Sequence, residues 1–182
     1  DDNSQFGAET TGSASYGYQF TPEWRAHISY GTAFRAPTFN ELYFPASFFF
    51  GGGNPDLKPE RAKNTEVGIN WERGNHRFST VLYNNDLTDL IDFRPQPLPP
   101  FFAAVNVSKA LLRGATLTYD GRFSEWGLGV AVDFLDPRNE EKGPNNGNRL
   151  ARRADQQMSS YVTRTLGNWE FRGEWKLVGD RY

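Results

Sequence analysis

The residues of this chain that could perform acid–base or metal chemistry are few and scattered. His27 and His76 are the only histidines, and the chain has no cysteine. A nucleophilic or metal centre needs partner residues at a fixed spacing around such groups, and neither histidine has them. We therefore interpret both histidines as part of solvent-facing surfaces, and we expect no catalytic residue and no enzymatic activity.

Two other residue patterns that could bind small ions are also weak. Gly51-Gly52-Gly53 lacks the Lys and Ser/Thr that follow the glycines of a phosphate-binding loop, so a flexible loop is the better interpretation. Calcium needs about six to eight converging oxygen ligands, which these sequence spacings do not provide. We expect solvated carboxylates and no metal site at the acidic residues near the predicted long connections, which are Asp86, Asp89, Asp92, Glu140 and Glu141.

The strongest candidates for binding are side chains in predicted loops. Exposed apolar clusters usually mark an interaction surface. These aromatic residues could hold a large, partly apolar ligand or could pack loop against loop, and the sequence leaves both alternatives open. The candidates are Tyr43, Phe44, Phe48, Phe49, Phe50, Phe101 and Phe102, together with the polar Asn145 and Asn146.

Composition narrows the class of protein. The 182 residues include 20 Lys+Arg and 22 Asp+Glu, a net charge of -2, which argues against a nucleic-acid partner. Hydrophobic residues make up only 37%, yet aromatic residues make up 15%. An aromatic-rich, aliphatic-poor chain is typical of a β-barrel that meets lipid on one face and water on the other.

Alternation with a period of two dominates the chain and predicts strands. In one segment Thr65, Val67, Ile69 and Trp71 alternate with Glu66, Gly68, Asn70 and Glu72. No stretch shows a helical period, so we expect an all-β, antiparallel up-and-down meander of about eight strands. The predicted strands are 5–20, 25–35, 61–73, 76–93, 103–122, 126–136, 153–166 and 169–180.

The predicted connections come in two sizes that alternate along the chain. Tight turns fall at 21–23, 74–75, 124–125 and 167–168, and long connections at 35–59, 94–102 and 137–150. Because proline cannot continue a central ladder, the run from Pro95 to Pro100 should lie off the sheet. Short turns on one rim and long loops on the other are the outer-membrane barrel pattern, with the long loops outside the cell. A soluble β-sandwich binding module would also satisfy the alternation and remains an alternative.

Several segments resemble a known family. Two motifs are similar to the signature of TonB-dependent receptors, and they are Tyr30-Gly31-Thr32-Ala33-Phe34-Arg35-Ala36-Pro37-Thr38-Phe39-Asn40-Glu41-Leu42-Tyr43 and, after it, Asn54-Pro55-Asp56-Leu57-Lys58-Pro59-Glu60. Asn106, with Gly114 behind it, resembles the next block of that family, although Thr116 stands where the family usually has an acidic residue. Three further segments resemble the cobalamin (vitamin B12) receptors of this family, and they are residues 1–7, 150–157 (which include Arg152 and Arg153) and 178–182.

This resemblance implies a fold, a function and a set of partners. The fold would be a segment of a roughly 22-stranded transmembrane β-barrel with a plugged lumen. Residues 1–182 would form one internal piece of the wall, without the plug domain and the terminal strand. The implied function is import of cobalamin or another corrinoid across the bacterial outer membrane, energised by TonB through the plug. A siderophore receptor of the same family is the alternative.

The resemblance also implies what surrounds the segment. Outer-membrane lipid and lipopolysaccharide would contact its outside, and the plug would contact its inside. No cofactor is expected in the segment itself, because the calcium known for cobalamin receptors binds extracellular loops upstream of it. Pro55 and Pro59 fix their own φ and restrain the preceding residues, so we interpret residues 54–60 as a rigid structural corner leading into the next strand.

Overall fold

The structure is a computed structural model that describes residues 2–3, 6–45, 47, 51–98, 101–144, 146–150 and 153–180. It is almost entirely β-structure, as the period-two alternation predicts. Among the described residues, no helix is long and apolar enough to cross a membrane. The elements in chain order are β1 (Asp2–Asn3), β2 (Gly7–Ala8), β3 (Ser13–Gln19), β4 (Trp24–Arg35), α1 (Phe39–Tyr43), β5 (Glu60–Arg73), β6 (His76–Pro95), β7 (Phe102–Phe123), β8 (Trp126–Asn139), β9 (Gln156–Leu166) and β10 (Trp169–Val178).

One large sheet contains eight of these strands in the order β10-β9-β8-β7-β6-β5-β4-β3. Every neighbouring pair is antiparallel, so the predicted up-and-down meander is confirmed. Within the described residues, the other sheet is only the two-stranded hairpin β1-β2. A β-sandwich needs two facing sheets of comparable size, so the soluble-sandwich alternative is wrong.

The structure corrects several predicted boundaries. The first predicted strand, 5–20, is divided into β2, which pairs with β1 in a small hairpin and contains Gly7 at a positive φ of 78°, and β3. The predicted strand 153–166 begins later than expected, since Arg153 precedes β9, which starts only at Gln156. The expectation of no helix is wrong for α1, a single short helix inside the long connection 35–59.

Prolines also lie closer to the sheet than predicted. Pro95 is the last residue of β6 and pairs with Phe102, so only the residues after it leave the ladder, and Phe102 begins β7 and is not a loop residue. Pro137 lies within β8, paired with Leu112. Among the described residues, the pairing of β8 with β9 ends at Phe134, so Pro137 lies beyond that ladder and its missing N–H breaks no hydrogen bond between these two strands.

Three of the four predicted short turns are two-residue hairpins at the predicted positions. At the fourth, 21–23, the ladder ends at the pair Gln19 and Arg25, so the turn is longer. Arg73 pairs with His76, and equivalent pairs close the turns at 124–125 and 167–168. The first turn residue has a positive φ in each case: Gly74 58°, Ser124 53° and Gly167 59°. Such turns match the twist of antiparallel strands. Because each strand of the meander crosses the sheet once, successive connections alternate between its two ends, and these turns therefore lie at the same end.

The strand register sorts the side chains of the large sheet into two faces, because paired residues share a face and successive residues alternate. The apolar face carries rows such as Trp24, Trp71, Phe78, Tyr119 and Val130, and Tyr16, Ile28, Val67, Leu82, Ala115 and Phe134. The polar face carries rows such as Arg25, Asn70, Ser79, Thr118, Ala131 and Ser159. The alternation predicted for residues 65–72 is confirmed by this register.

The buried residues are concentrated at the end of the sheet that carries the long connections. Leu42 and Leu57 pack with Ala104, and Leu150 packs with Leu87 and Ala110. The long connections therefore fold down against the sheet and fix this end of the structure. By contrast, the side chains of the edge strand β3 are all exposed.

Candidate ligand-binding rim

The connection between β4 and β5 is organised by the short helix α1. Thr38 caps it: the Thr38 hydroxyl accepts a hydrogen bond from the Glu41 N–H at 3.3 Å, and the Glu41 carboxylate accepts one from the Thr38 N–H at 2.6 Å. This reciprocal arrangement is a capping box, which stabilises a helix start. The helix buries Leu42 and ends at Tyr43, and the N–H of the capping residue Phe44 bonds to the Asn40 carbonyl at 3.1 Å. The Thr38-x-x-Glu41 spacing is a sequence signal for this helix that the period-based prediction overlooked.

Arg35, the last residue of β4, joins four parts of the rim. Its guanidinium donates to both oxygens of Glu60, at 2.7 Å from Nε and 2.6 Å from Nη2. It also donates to Glu41 in the helix, with an Nη1–Oε2 distance of 3.1 Å. Glu60 in turn accepts the backbone N–H of Ile91 in β6 at 2.8 Å. Bidentate pairing between arginine and a carboxylate is strong and directional, so this network fixes where the connection leaves and re-enters the sheet.

The charge state of the Glu41 carboxyl follows from its surroundings. Burial alone would raise the pKa of Glu41, but hydrogen bonds from Arg35 and from Thr38 outweigh burial and hold the pKa below its ordinary value. The side chain of Glu41 is 16% exposed and that of Glu60 is 13%, whereas Arg35 is 42% exposed. Glu41 is therefore ionised at neutral pH. The carboxylates of Glu41 and Glu60 are shielded, and the Arg35 guanidinium is partly open to solvent.

Two asparagines of the family motifs bond the β4–β5 connection to β7. The side chain of Asn54 donates to the Ala104 carbonyl at 3.1 Å and accepts from the Asp56 N–H at 3.0 Å. The side chain of Asn106 accepts from the Lys58 N–H at 2.8 Å and donates to the Lys58 carbonyl at 2.9 Å. We call the group Arg35, Glu41, Asn54, Glu60 and Asn106 the rim corner.

Asn106 also marks an interruption of the β6–β7 ladder. Thr88 pairs with Lys109 and Leu90 pairs with Val107, but Asp89 between them has a positive φ of 56° and is unpaired in the ladder. The Asn106 amide donates to the Asp89 carbonyl at 2.7 Å. A positive φ is unfavourable for a residue with a side chain. The Asn106 side chain thus satisfies a backbone group that this distortion would otherwise leave without a partner.

Gly53 is required where the connection passes over α1. A Cβ at this position would lie 2.1 Å from the backbone carbonyl carbon of Leu42 and 2.1 Å from the Tyr43 nitrogen. The Gly53 N–H donates to the Phe44 carbonyl at 2.7 Å, and the Asn54 N–H to the Glu41 carbonyl at 2.7 Å. The glycine segment, predicted as a flexible loop, therefore contributes at Gly53 a close backbone contact that holds the helix.

The connection between β8 and β9 folds back on the end of β8. Arg138 and Arg149 form an isolated bridge, and the Leu150 N–H bonds to the Pro137 carbonyl at 3.1 Å. An ion pair of 2.9 Å between Arg94 and Glu141 joins this connection to β6. The β4–β5 connection and the β8–β9 connection are thus both bonded to the β6–β7 hairpin that lies between them.

Exposed aromatic and aliphatic side chains project from this tied framework. Phe39 is 75% exposed, Phe44 53% and Leu98 73%, while Tyr43 and Phe101 are also exposed. The rings of Phe39 and Tyr43 lie 5.2 Å apart. Phe39, Tyr43 and Phe44 belong to α1 or directly follow it, and this helix is held by its packing and by the rim corner. Their apolar side chains are therefore exposed to solvent on a rigid support.

The structure brings some of the residues singled out in the sequence together and leaves others apart. Asn54, Leu57, Lys58, Glu60 and Asn106 meet at the rim corner, with Pro59 buried beside them and Pro55 exposed. Asn146 lies on the next connection, where its side chain donates to the Glu141 carbonyl at 3.2 Å. Five predicted residues lie outside the described residues, and they are Phe48, Phe49, Phe50, Asn145 and Arg152.

Gly114 lies away from the rim, on the polar face of β7. A Cβ there would be 2.1 Å from the Phe134 carbonyl oxygen and 2.4 Å from the Tyr83 hydroxyl. Thr116, two residues on, donates its hydroxyl to Asp133 on the adjacent strand at 2.7 Å. The acidic group that the family pattern expects at position 116 is therefore present, but it comes from β8.

Neither histidine lies at the rim. The ring of His27 lies over Gly68 on the polar face and its Nδ1 is 3.2 Å from the Asn70 amide nitrogen. His76 instead lies among aromatic rings on the apolar face, 4.7 Å from Phe123 between ring centroids, which differs from the predicted solvent-facing position. In the part of the chain that the structure describes, no group of three or more His, Cys, Asp or Glu could hold a metal ion.

Comparison with known proteins agrees with this architecture. The model of the family described as "TonB dependent receptor-like, beta-barrel" matches residues 1–182. The siderophore receptor PirA from Pseudomonas aeruginosa is similar, with a TM-score of 0.77 and 16% identity over 100% of this chain and 33% of that one. The copper transporter OprC has a TM-score of 0.74 and 18% identity over 92% of this chain and 26% of that one.

A third similar structure is a receptor named for a different ligand. The alcaligin outer membrane receptor FauA from Bordetella pertussis has a TM-score of 0.63 and 21% identity, covering 94% of this chain and 30% of that one. The chain therefore spans about a quarter to a third of the length of these structures. At these identities the likeness shows the fold alone.

The chain belongs to the TonB-dependent receptor β-barrel family. Proteins of this family are transport receptors in the bacterial outer membrane, and the sheet described above is a segment of such a barrel wall. Its apolar face is accordingly the lipid-facing outside and its polar face the inside.

Proposed function

We propose that this segment forms part of the wall of a receptor that imports cobalamin or a related corrinoid, with its long connections on the cell exterior. The observation that carries the proposal is the set of exposed apolar side chains held on the fixed rim. The similarity of residues 1–7, 150–157 and 178–182 to cobalamin receptors supports this choice of ligand. Uptake would be energised by TonB acting on a plug domain.

The chemistry of the rim suits a large ligand with apolar surface. Binding sites for such ligands are lined mainly by hydrophobic and aromatic groups, with a few placed polar groups. Phe39, Tyr43 and Phe44 supply the apolar part, and Leu98 and Phe101 extend it on the neighbouring connection. Rigid support reduces the entropy lost on binding, which is the contribution we assign to the rim corner.

The two faces of the sheet would have separate roles in transport. The polar face would line the lumen and contact the plug, using side chains such as Arg25, Asn70 and Thr118. The apolar face would contact outer-membrane lipid and lipopolysaccharide. Binding and gated passage require no covalent step, so no catalytic residue has a part in this proposal.

A ferric siderophore is the second candidate ligand. The similarity to PirA, a siderophore receptor, and to FauA, an alcaligin receptor, favours it. The rim aromatics would serve such a chelate as well.

Uptake by the full-length receptor separates the two ligands. We would express it in cells that lack their own receptors and measure accumulation of labelled cobalamin and of a labelled ferric siderophore. Phe39→Ser/Phe44→Ser should lower cobalamin accumulation at least fivefold, whereas Phe39→Tyr/Phe44→Tyr should retain most of it. Siderophore accumulation with no cobalamin accumulation would support the alternative ligand. Unchanged cobalamin uptake in the serine variant would show that the rim aromatics do not bind the ligand.

A further inference from the structure

The apolar face changes character abruptly toward the end that carries the long connections. Its last apolar row runs through Val67, Leu82, Ala115 and Phe134. The next rows contain Arg113 paired with Asp136, then Lys63 opposite Asp86, and Arg138. At the short-turn end the same face finishes instead in aromatic residues, which are Trp24, Trp71, Phe78, Tyr119, Phe123, Trp126, Trp169 and Phe171.

Beyond the apolar rows, Arg113 and Arg138 both bond to the carboxylate of Asp136. We call these three residues the fork. Arg113 donates to Asp136 Oδ2 from Nε at 3.1 Å and from Nη2 at 3.0 Å. Arg138 donates from Nε to Asp136 Oδ1 at 2.6 Å and from Nη1 to the Gly147 carbonyl at 3.0 Å. Each guanidinium has five N–H donors, so both retain donors beyond these bonds. Two cations on one carboxylate also leave the fork with a net positive charge.

A surface depression adjoins the fork on the membrane side. Its apolar wall consists of Leu82 and Phe134, which are 57% and 44% exposed, with the short side chain of Ala115 between them. Its polar wall includes Arg113, Asp136, Arg149, Asp155 and Gln156. Arg149 and Asp155 form an ion pair of 2.7 Å across this wall. The depression therefore presents apolar surface toward the bilayer and guanidinium and carboxylate groups toward the polar boundary.

We propose that this depression and the Arg113–Asp136–Arg138 fork bind a phosphorylated glycolipid of the outer leaflet, namely lipopolysaccharide. The proposal rests on the outward placement of the long connections in the proposed function. Guanidinium groups would pair with the phosphates, since arginine suits bidentate recognition of phosphate. Asp136, Asp155 and Gln156 would accept hydrogen bonds from sugar hydroxyl and amide groups, which a simple phospholipid lacks. The first part of an acyl chain would lie against Leu82 and Phe134.

The test uses the full-length receptor extracted from outer membranes in mild detergent. Native mass spectrometry would count the lipopolysaccharide molecules retained by wild type and by Arg113→Gln/Arg138→Gln. We expect at least a fivefold loss of retained lipid in this variant. The matched control is Arg77→Gln/Arg122→Gln, which removes two arginines from the polar face and should retain wild-type amounts.

Equal retention by the fork variant and wild type, or equal loss in the polar-face control, would overturn the proposal. A measurement on wild type alone makes the test independent of how the variants fold. Purified lipopolysaccharide added to delipidated receptor should raise its melting temperature more than phosphatidylglycerol does, and an equal rise would overturn the choice of glycolipid. Uptake measured in the same cells keeps this outcome separate from the proposed transport function, because the fork does not touch the rim aromatics.

Discussion

The two ends of this sheet solve the same problem, joining neighbouring strands, with different chemistry. At the short-turn end each of three connections has two residues, and the adjacent strand ends are covered by aromatic rings such as the stacked Phe20 and Trp24. At the other end the connections are long and are held by the rim corner. There Glu41 and Glu60 are largely shielded, and asparagine side chains bond to backbone groups.

The difference follows from how many backbone groups each end leaves without a partner in the sheet. A two-residue turn leaves little backbone unpaired, so apolar contacts at a membrane interface are sufficient to stabilise that end of the sheet. A connection of more than twenty residues exposes many backbone groups, and each buried one needs a partner. The recognised sequence motifs therefore coincide with the polar end, where Asn54, Glu60 and Asn106 supply those partners.

The largest expected effect concerns the strands that lie between the two ends. Val67→Arg or Ile69→Arg would put a charge on the lipid-facing side and should destabilise the barrel by about 2–4 kcal/mol, whereas Glu66→Arg and Asn70→Arg on the polar face should be mild. Folded receptor recovered from outer membranes would be compared across the four variants. Equal recovery would mean that the register does not separate lipid from lumen.

The rim corner should be the more sensitive of the two ends. Asn106→Ala leaves the Lys58 N–H and the carbonyls of Lys58 and Asp89 without their side-chain partner. We expect a loss of about 1–3 kcal/mol, because three hydrogen bonds of about 0.5–1.5 kcal/mol each are removed and water can replace part of the two exposed ones. Asn84→Ala is a matched control, because Asn84 makes a single side-chain bond of 3.3 Å to Asp86. Thermal unfolding of the purified receptor measures both, and equal melting temperatures would contradict the assignment.

Aromatic contacts at the short-turn end should matter less. Phe123→Leu keeps an apolar side chain but removes the ring that lies 4.7 Å from His76. An aromatic pair contributes about 0.5–1.5 kcal/mol beyond area burial, so the melting temperature should fall by less than in Asn106→Ala. The reverse order of the two variants would show that the aromatic end dominates stability.

The smallest effect is a dependence on pH at the rim. The pKa of Glu41 is lower in the folded protein than its ordinary value of 4.5, so its contribution is complete above that value and is lost as the pH falls through the lower folded pKa. Glu41→Gln removes this carboxyl, and the variant should lose less stability than wild type on acidification below that value. Parallel stability curves for the two proteins would exclude a role for this carboxyl.

Much of this architecture could be predicted from the sequence, and the failures have physical causes. Period-two alternation locates the strands of the large sheet because each meets lipid on one side and water on the other. The same pattern gives no warning of α1, since five residues are too short to show a helical period, and only the Thr38-x-x-Glu41 spacing indicates it.

The candidate site was harder to predict than the fold. Asn54, Glu60 and Asn106 stand out through the family motif, but their partner Arg35 bonds to Glu41 and Glu60 across 6 and 25 positions of sequence. Such convergence depends on how the connection folds over the sheet, which local patterns do not encode. The outer fork of Arg113 and Arg138 was missed for the same reason, because it forms only when β7 and β8 are paired.

The placement of the long connections outside the cell and of the short turns in the periplasm is tested most directly by cysteine labelling. Because the chain has no cysteine, single cysteines can be placed freely in the full-length receptor wherever the remainder is also cysteine-free. Cysteines at Gly52, Gln96 and Asn146 should react with a membrane-impermeant maleimide on intact cells. Those at Asn75 and Asn168 should react only after the outer membrane is opened. Labelling of Asn75 on intact cells, with Asn146 silent, would contradict the account by placing the rim on the periplasmic side.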